Sequence, residues 1–118
     1  MSHHKELGKH GELAARAYLE SKGHLILECN YRFEHKEVDI ISLCGAVLVF
    51  TEIKTRSHYR LGFPEEAVHN QKQLLLKQAA EYYCSFHPQY EKLRFDVISI
   101  LMNGGKVKEL LHFEDAFY

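Results

Sequence analysis

The chain has 118 residues, and its 15 basic and 16 acidic side chains give a formal charge of −1. A chain of this length can bury roughly two-thirds of its unfolded surface, so we expect one domain, 1–118, with a core that needs no disulfides. Composition indicates neither a nucleic-acid nor a membrane partner, and no apolar run approaches the roughly 20 residues of a membrane span, which favours a cytoplasmic protein whose phosphate-binding surface, if it has one, is local.

The first predicted element is an amphipathic helix from about Glu6 to Lys22, in a segment rich in Ala, Leu and Glu. Gly23 ends this helix, as glycine often does, and Glu12 lies near its start. Helical spacing predicts one apolar face, made of Leu7, Ala14, Ala17 and Tyr18.

Three strands with short connections follow and predict an antiparallel meander. Gly45 lies in the shorter connection, which reads as a hairpin between the second and third strands. We expect the strands at about His24 to Phe33, Glu37 to Leu43 and Val47 to Lys54.

A second amphipathic helix is predicted to begin near Pro64 and to stop at His87-Pro88, with an apolar face formed by Val68, Leu75, Ala79, Tyr82 and Phe86. The strand at Arg94 to Leu101 is reached through this helix, so it should lie parallel to an earlier strand. A turn then leads to a last strand, Lys106 to Phe113. The predicted fold class is therefore α/β, with a mixed sheet of about five strands in the order α-β-β-β-α-β-β, flanked by helices.

Three charged residues interrupt the apolar strands: Asp39, Glu52 and Lys54. Since side chains alternate along a strand, Glu52 and Lys54 lie on one face, and the hairpin brings Asp39 within reach if the register is suitable. Two carboxylates held close together repel each other unless a cation lies between them, and such oxygen-rich pairs suit Mg²⁺. Lys54 could then activate a water molecule or offset charge on a phosphate, which is the chemistry of phosphodiester hydrolysis.

A structural alternative stays open at this point. Glu52 with Lys54, or Asp39 with an arginine, could form an ordinary salt bridge at a solvated strand end. On spacing alone such pairs are more common than catalytic ones.

The order of elements and the charged motif resemble the PD-(D/E)XK, or restriction-endonuclease-like, nuclease superfamily. More closely, GELAARAYLESKG, NYRFEHKEVDIIS, LVFTEIKTR and RFDVISI resemble successive motifs of the uncharacterised bacterial YraN family. The resemblance implies that Asp39 and Glu52 bind Mg²⁺ or Mn²⁺, that the Ile53 carbonyl adds an oxygen, and that Lys54 is the catalytic lysine. It also implies that Glu12 completes the acidic cluster, directly or through water, although a glutamate near a helix N-terminus needs no such role.

Three further residues are candidates for contacts with nucleic acid. Thr55 and Arg56 follow Lys54 directly and offer hydroxyl and guanidinium donors to a phosphate. Lys72 falls at a basic position of the resembled family. Each of these residues also has a plain structural explanation, as a polar strand end or an exposed helix lysine.

Two positions depart from the family's usual pattern, since Lys36 stands where glycine is usual and Thr51 where valine is usual. Neither replaces a charged motif residue. The resulting hypothesis is a Mg²⁺-dependent endonuclease acting on nucleic acid, DNA in the first place, on branched or single-stranded substrates in recombination or repair, with a homodimer left open. A non-catalytic nucleic-acid-binding module is the alternative, and a purely structural protein comes third.

Overall fold

The computed structural model describes residues 3–57 and 70–117. Within these ranges the elements follow the predicted order, which confirms the fold class. They are α1 (His3–Ser21), β1 (Leu25–Phe33), β2 (Lys36–Cys44), β3 (Val47–Arg56), α2 (Asn70–Ser85), β4 (Lys92–Asn103) and β5 (Lys106–Phe113).

The five strands form one mixed sheet in the order β1-β2-β3-β4-β5. β3 pairs with β4 in parallel, as predicted for two strands joined through a helix, and the other neighbouring strands pair antiparallel. β3 is therefore the central strand, and its side chains have a neighbour on both sides.

Three strands are longer than their sequences predict. β2 gains one residue at each end, β3 continues past Lys54 to Arg56, and β4 extends from Lys92 to Asn103. For β3 and β4 the reason is pairing: the parallel ladder runs without interruption from Val47↔Lys92 to Arg56↔Leu101, and the last two residues of β4 pair with β5. The predicted helix start at Pro64, and Val68 with it, lie outside the described residues.

The sheet carries a separate apolar core on each face. On one face α2 contributes Leu76, Ala79, Ala80 and Tyr83, which pack with Val38, Ile41, Leu48, Phe50 and Phe95 of the strands. On the other face α1 contributes Ala15 and Leu19, which pack with Ile40, Ile98, Ile100 and Met102. The arrangement is helix, sheet and helix in three layers, as in other α/β folds.

The predicted apolar faces of the two helices are wrong in part. In α1 the predicted Ala14 and Tyr18 pack partly against the core, but its fully buried apolar residues are Ala15 and Leu19, and Ala17 is exposed. In α2 Ala79 is in the core as predicted, whereas Tyr83 is buried in place of its neighbour Tyr82, which is exposed. Both helices carry apolar residues on more than one face, so helical periodicity does not say which face the sheet covers.

A close approach at Gly11 sets the position of α1 on the sheet. A Cβ atom at this position would collide with the hydroxyl oxygen, the Cβ atom and the methyl carbon of Thr55 on β3. Glycine therefore lets the helix backbone lie directly over the end of β3. In the described part of the chain, neither helix combines the length and the apolar character that a bilayer span requires.

Candidate active site

Asp39 and Glu52 face each other where β2 and β3 separate. The antiparallel pairing of these strands runs from Cys44↔Val47 to Ile40↔Thr51, so Asp39 and Glu52 are the next opposed positions. Opposed residues of an antiparallel pair project to the same side, with Cβ atoms about 5 Å apart. The register thus brings together the two carboxylates that the sequence had predicted to converge.

The Asp39 side chain takes the place of a missing strand partner. Its Oδ2 atom accepts a hydrogen bond of 2.7 Å from the backbone N–H of Ile53. Ile53 lies just beyond the part of β3 that pairs with β2. Burial and then the negative charge of Glu52 raise the pKa of Asp39 to about 8, against the opposing effects of the Ile53 hydrogen bond and the Lys72 charge. In the metal-free protein the pair therefore resists carrying two negative charges.

Glu52 is buried, with 5% of its side chain exposed, and its two oxygens have different environments. Oε2 lies 3.9 Å from the Lys54 amine and 3.5 Å from the Lys72 amine. Oε1 is buried and has no hydrogen-bond partner among the described residues. The protonated Asp39 carboxyl can donate a hydrogen bond to the Glu52 carboxylate, but this donor is lost when both groups are ionised. A buried carboxylate oxygen without a donor is costly, so in the ionised pair this atom calls for a cation or a water molecule.

Glu12 of α1 approaches the pair from the other helix. Burial raises its pKa, and the negative charge of Asp39 adds to the effect, while a hydrogen bond from the Asn30 side chain opposes it. Asn30 lies between the β1–β2 pairs Cys29↔Ile40 and Tyr31↔Val38 and has a positive φ of 55°. Sequence reasoning missed Asn30, although asparagine in a strand is a signal of its own because it tolerates this backbone conformation better than most residues.

The residues present fit a hard divalent cation. Among the described residues no group of three or more Asp, Glu, His or Cys side chains is placed to hold an ion, so the acidic donor set is the Asp39–Glu52 pair, with Glu12 beside Asp39. Two carboxylates, one with an unpartnered buried oxygen, match Mg²⁺ or Mn²⁺, since such ions keep several water ligands. The Ile53 carbonyl as a ligand, and Glu12 acting directly or through water, stay predictions.

Lys54 and Lys72 reach the same carboxylate from different elements. Lys54 shares a face of β3 with Glu52, as predicted from strand alternation, and 39% of its side chain is exposed. Lys72 comes from α2 and reaches the Glu52 carboxylate. The sequence had suggested Lys72 only as a contact to the phosphate backbone of nucleic acid. The sequence held no signal for this approach, because it depends on where α2 lies on the sheet.

Thr55 and Arg56 lie at the end of β3, next to the site. Thr55 is half-buried beneath Gly11 of α1, so the helix covers one side of this residue. Arg56 is the last residue of β3 and pairs with Leu101, so it lies within the strand and not beyond its end. Their predicted contacts with phosphate stay predictions.

Asp96, the other strand acid, lies in a separate and fully partnered network. It accepts two hydrogen bonds from the Arg94 guanidinium at 2.8 and 2.9 Å, one from His112 Nε2 at 2.7 Å and one from the Asp115 backbone at 3.0 Å. Burial raises its pKa, but the hydrogen bonds from His112 and Arg94 outweigh burial and lower it overall. This saturated geometry leaves Asp96 no free oxygen for a metal and gives it a structural role.

Comparison with known proteins places similar chains in many bacteria. The model of the uncharacterised protein family UPF0102 matches residues 11–100, which include the whole acidic pair and its lysines. A UPF0102 protein of Chlorobium chlorochromatii is 41% identical over 96% of this chain and 92% of its own length. A UPF0102 protein of Dictyoglomus thermophilum is 42% identical over 96% of this chain and 98% of its own length. One of Flavobacterium psychrophilum is 42% identical over 100% of this chain and 98% of its own length.

Proposed function

The chain belongs to the uncharacterised protein family UPF0102, and we propose that this member is a Mg²⁺- or Mn²⁺-dependent endonuclease that hydrolyses phosphodiester bonds in nucleic acid. The observation that carries the proposal is the opposed pair Asp39 and Glu52, in which Glu52 Oε1 is buried without a donor. When both carboxyl groups are ionised, no donor among the described residues reaches this oxygen, which leaves it open to a ligand.

The charges around the pair suit the hydrolysis of a phosphodiester. A bound divalent ion would neutralise the carboxylates and polarise a phosphate oxygen or a water molecule. The Lys54 amine lies beside Glu52 and reaches solvent, so it can stabilise the negative charge that develops on an attacked phosphate. The Asp39–Ile53 hydrogen bond holds the Asp39 carboxylate in place through the rigid end of β3.

We further propose that the substrate is DNA with a branched or single-stranded region. The resemblance of the motifs to the PD-(D/E)XK superfamily supports DNA, and the formal charge of −1 favours a local contact surface over a long basic groove for duplex. A role in recombination or repair would follow from such a substrate. The alternative is a nucleic-acid-binding module that keeps the fold without cleavage.

A cleavage screen tests the proposal and its alternative together. Purified protein is incubated with duplex, flap, fork, junction and single-stranded DNA, and with single-stranded RNA, in Mg²⁺, in Mn²⁺ and in EDTA. We expect metal-dependent cleavage of at least one branched or single-stranded DNA, and none by the Lys54→Ala variant. Binding without cleavage in any metal would favour the non-catalytic module.

A further inference from the structure

Three aromatic residues form a strip beside the candidate active site, two of them exposed and one half-buried. Phe33 closes β1 and packs partly against the core, Tyr82 lies on α2, and Phe86 directly follows the last residue of α2. The ring centroids are 5.4 Å apart for Phe33–Tyr82 and 5.2 Å apart for Tyr82–Phe86. The side of α2 that faces the sheet is already filled by Tyr83 and its neighbours. Tyr82 and Phe86 are 48% and 65% exposed, so the core does not account for them. We name Phe33, Tyr82 and Phe86 the aromatic strip.

The aromatic strip is continuous with the carboxylate pair. Phe33 lines a narrow crevice together with Lys36 and Lys72, and the Lys72 amine lies 3.5 Å from Glu52 Oε2. From Lys72 to Ser85 the helix rises roughly 20 Å, at about 1.5 Å per residue, and Phe86 follows directly. That length suits on the order of six stacked nucleotides at about 3.4 Å each.

The charges along this path are balanced. Lys36 and Lys72 offer two ammonium groups to phosphates, while Glu37 in the same crevice and Glu52 beside the Lys72 amine offset them. With a formal chain charge of −1, phosphate contacts alone would bind nucleic acid poorly. Stacking on exposed rings does not depend on charge and stabilises each base by about 1–3 kcal/mol.

We propose that the aromatic strip is a stacking platform for the unpaired bases of a DNA strand whose phosphates pass Lys36 and Lys72 toward the carboxylate pair. The inference rests on the proposed function, because that function is what leads the DNA strand toward the carboxylate pair. Binding of the bases to the aromatic strip itself needs no metal. Duplex DNA does not fit this role, since its base faces are covered by their neighbours and only unpaired bases can stack on side chains.

Binding is measured in EDTA, so that hydrolysis cannot interfere, by fluorescence anisotropy of a labelled oligo(dT) of about 12 nucleotides. We expect Tyr82→Ala and Phe86→Ala each to weaken binding about tenfold, and Tyr82→Phe to keep it. Leu25→Ala is the matched control, because Leu25 is 60% exposed and lies at the far end of β1 from Phe33. Melting temperatures of all variants should stay close to that of the unaltered protein.

An abasic strand of the same length separates stacking from phosphate contacts. We expect the unaltered protein and the Tyr82→Ala variant to bind this strand equally and weakly. Equal affinity of all variants for oligo(dT) would overturn the proposed stacking platform. A Tyr82→Ala change that alters the sedimentation of the protein but not its DNA binding would also overturn it, and would identify the aromatic strip as an interface between copies of the chain.

The two proposals fail separately. If the unaltered protein cleaves DNA in Mg²⁺ but the aromatic variants bind oligo(dT) normally, the aromatic strip is overturned and the nuclease stands. If oligo(dT) binds through Tyr82 and Phe86 but no substrate is cleaved, the strip stands and catalysis is overturned.

Discussion

The backbone N–H of Ile53 donates a 2.7 Å hydrogen bond to the Asp39 carboxylate at the point where β2 leaves β3. One interaction thus ends a sheet ladder and positions an acid. It satisfies a backbone donor that the separating strands would leave unpaired, and it fixes Asp39 opposite Glu52. The same bond links the stability of the fold to the chemistry of the site.

Replacement of Asp39 should stabilise the metal-free protein. The pKa of Asp39 is raised to about 8 by burial and by the charge of Glu52, against about 3.9 for an unfolded aspartate. Between these pH values the folded state holds the extra proton, so stability falls as pH rises toward 8 and then levels off. Asp39→Asn should remove this dependence and raise the unfolding free energy by about 1–3 kcal/mol near pH 8, and by less near pH 5.

Urea unfolding in EDTA at several pH values measures the effect of Asp39→Asn. Glu20→Gln, an exposed change on α1, is the control and should follow the unaltered protein. A variant with the same pH dependence as the unaltered protein would show that Asp39 is ionised at neutral pH.

Millimolar Mg²⁺ or Mn²⁺ should raise the melting temperature of the protein. A cation that binds only the folded state stabilises it by mass action, and it also relieves the repulsion between Asp39 and Glu52. Glu52→Gln should remove most of this shift, whereas Glu20→Gln should keep it. Differential scanning fluorimetry with a metal series gives the result, and an unchanged shift in Glu52→Gln would place cation binding elsewhere.

Lys54→Ala should reduce the single-turnover cleavage rate by about a hundredfold or more, with substrate affinity changed about twofold at most. The reason is its position beside Glu52, where it acts on the reacting phosphate. Lys72→Ala should weaken binding and lower the salt dependence of the affinity by about one phosphate contact. Equal losses of rate and affinity in both variants would contradict a chemical role of Lys54.

Thr51→Val should stabilise the protein by about 1 kcal/mol. Thr51 is fully buried in β3, and its hydroxyl has no hydrogen-bond partner among the described residues. Valine has nearly the same shape and removes the cost of burying this oxygen. Thermal and urea unfolding measure the gain. Thr55→Val is the comparison at a half-buried site on the same face of β3. A loss of stability in Thr51→Val would show that the Thr51 hydroxyl has a hydrogen-bond partner after all.

Loss of Asp96 should destabilise the fold strongly. Asp96→Ala leaves Arg94 and His112 without their buried partner, which costs about 3–5 kcal/mol. Because the pKa of Asp96 is lowered in the folded protein, the stability that Asp96 contributes depends on pH. Its stabilisation is complete above the unfolded value of about 3.9 and is lost as pH falls through the folded value. Urea unfolding at a series of acid pH values measures this effect, and the stability difference between the unaltered protein and Asp96→Ala should narrow as pH falls through the folded value.

The sequence by itself determined the order of the elements and the identity of the acidic motif. Local patterns carry this information, because strand alternation puts Glu52 and Lys54 on one face whatever surrounds them. The hairpin at Gly45 likewise set the direction in which β2 returns toward β3. These features need only neighbours in the chain.

Tertiary structure alone decided which side of each helix meets the sheet and which side chains from distant elements reach the acids. Tyr82 and Tyr83 are adjacent and alike, yet packing buries Tyr83 and leaves Tyr82 in solvent. Lys72 approaches Glu52 only because α2 covers that face, and Gly11 matters only because α1 lies over Thr55. Such contacts depend on the fit of whole surfaces, and helical periodicity does not choose between two apolar faces of comparable character.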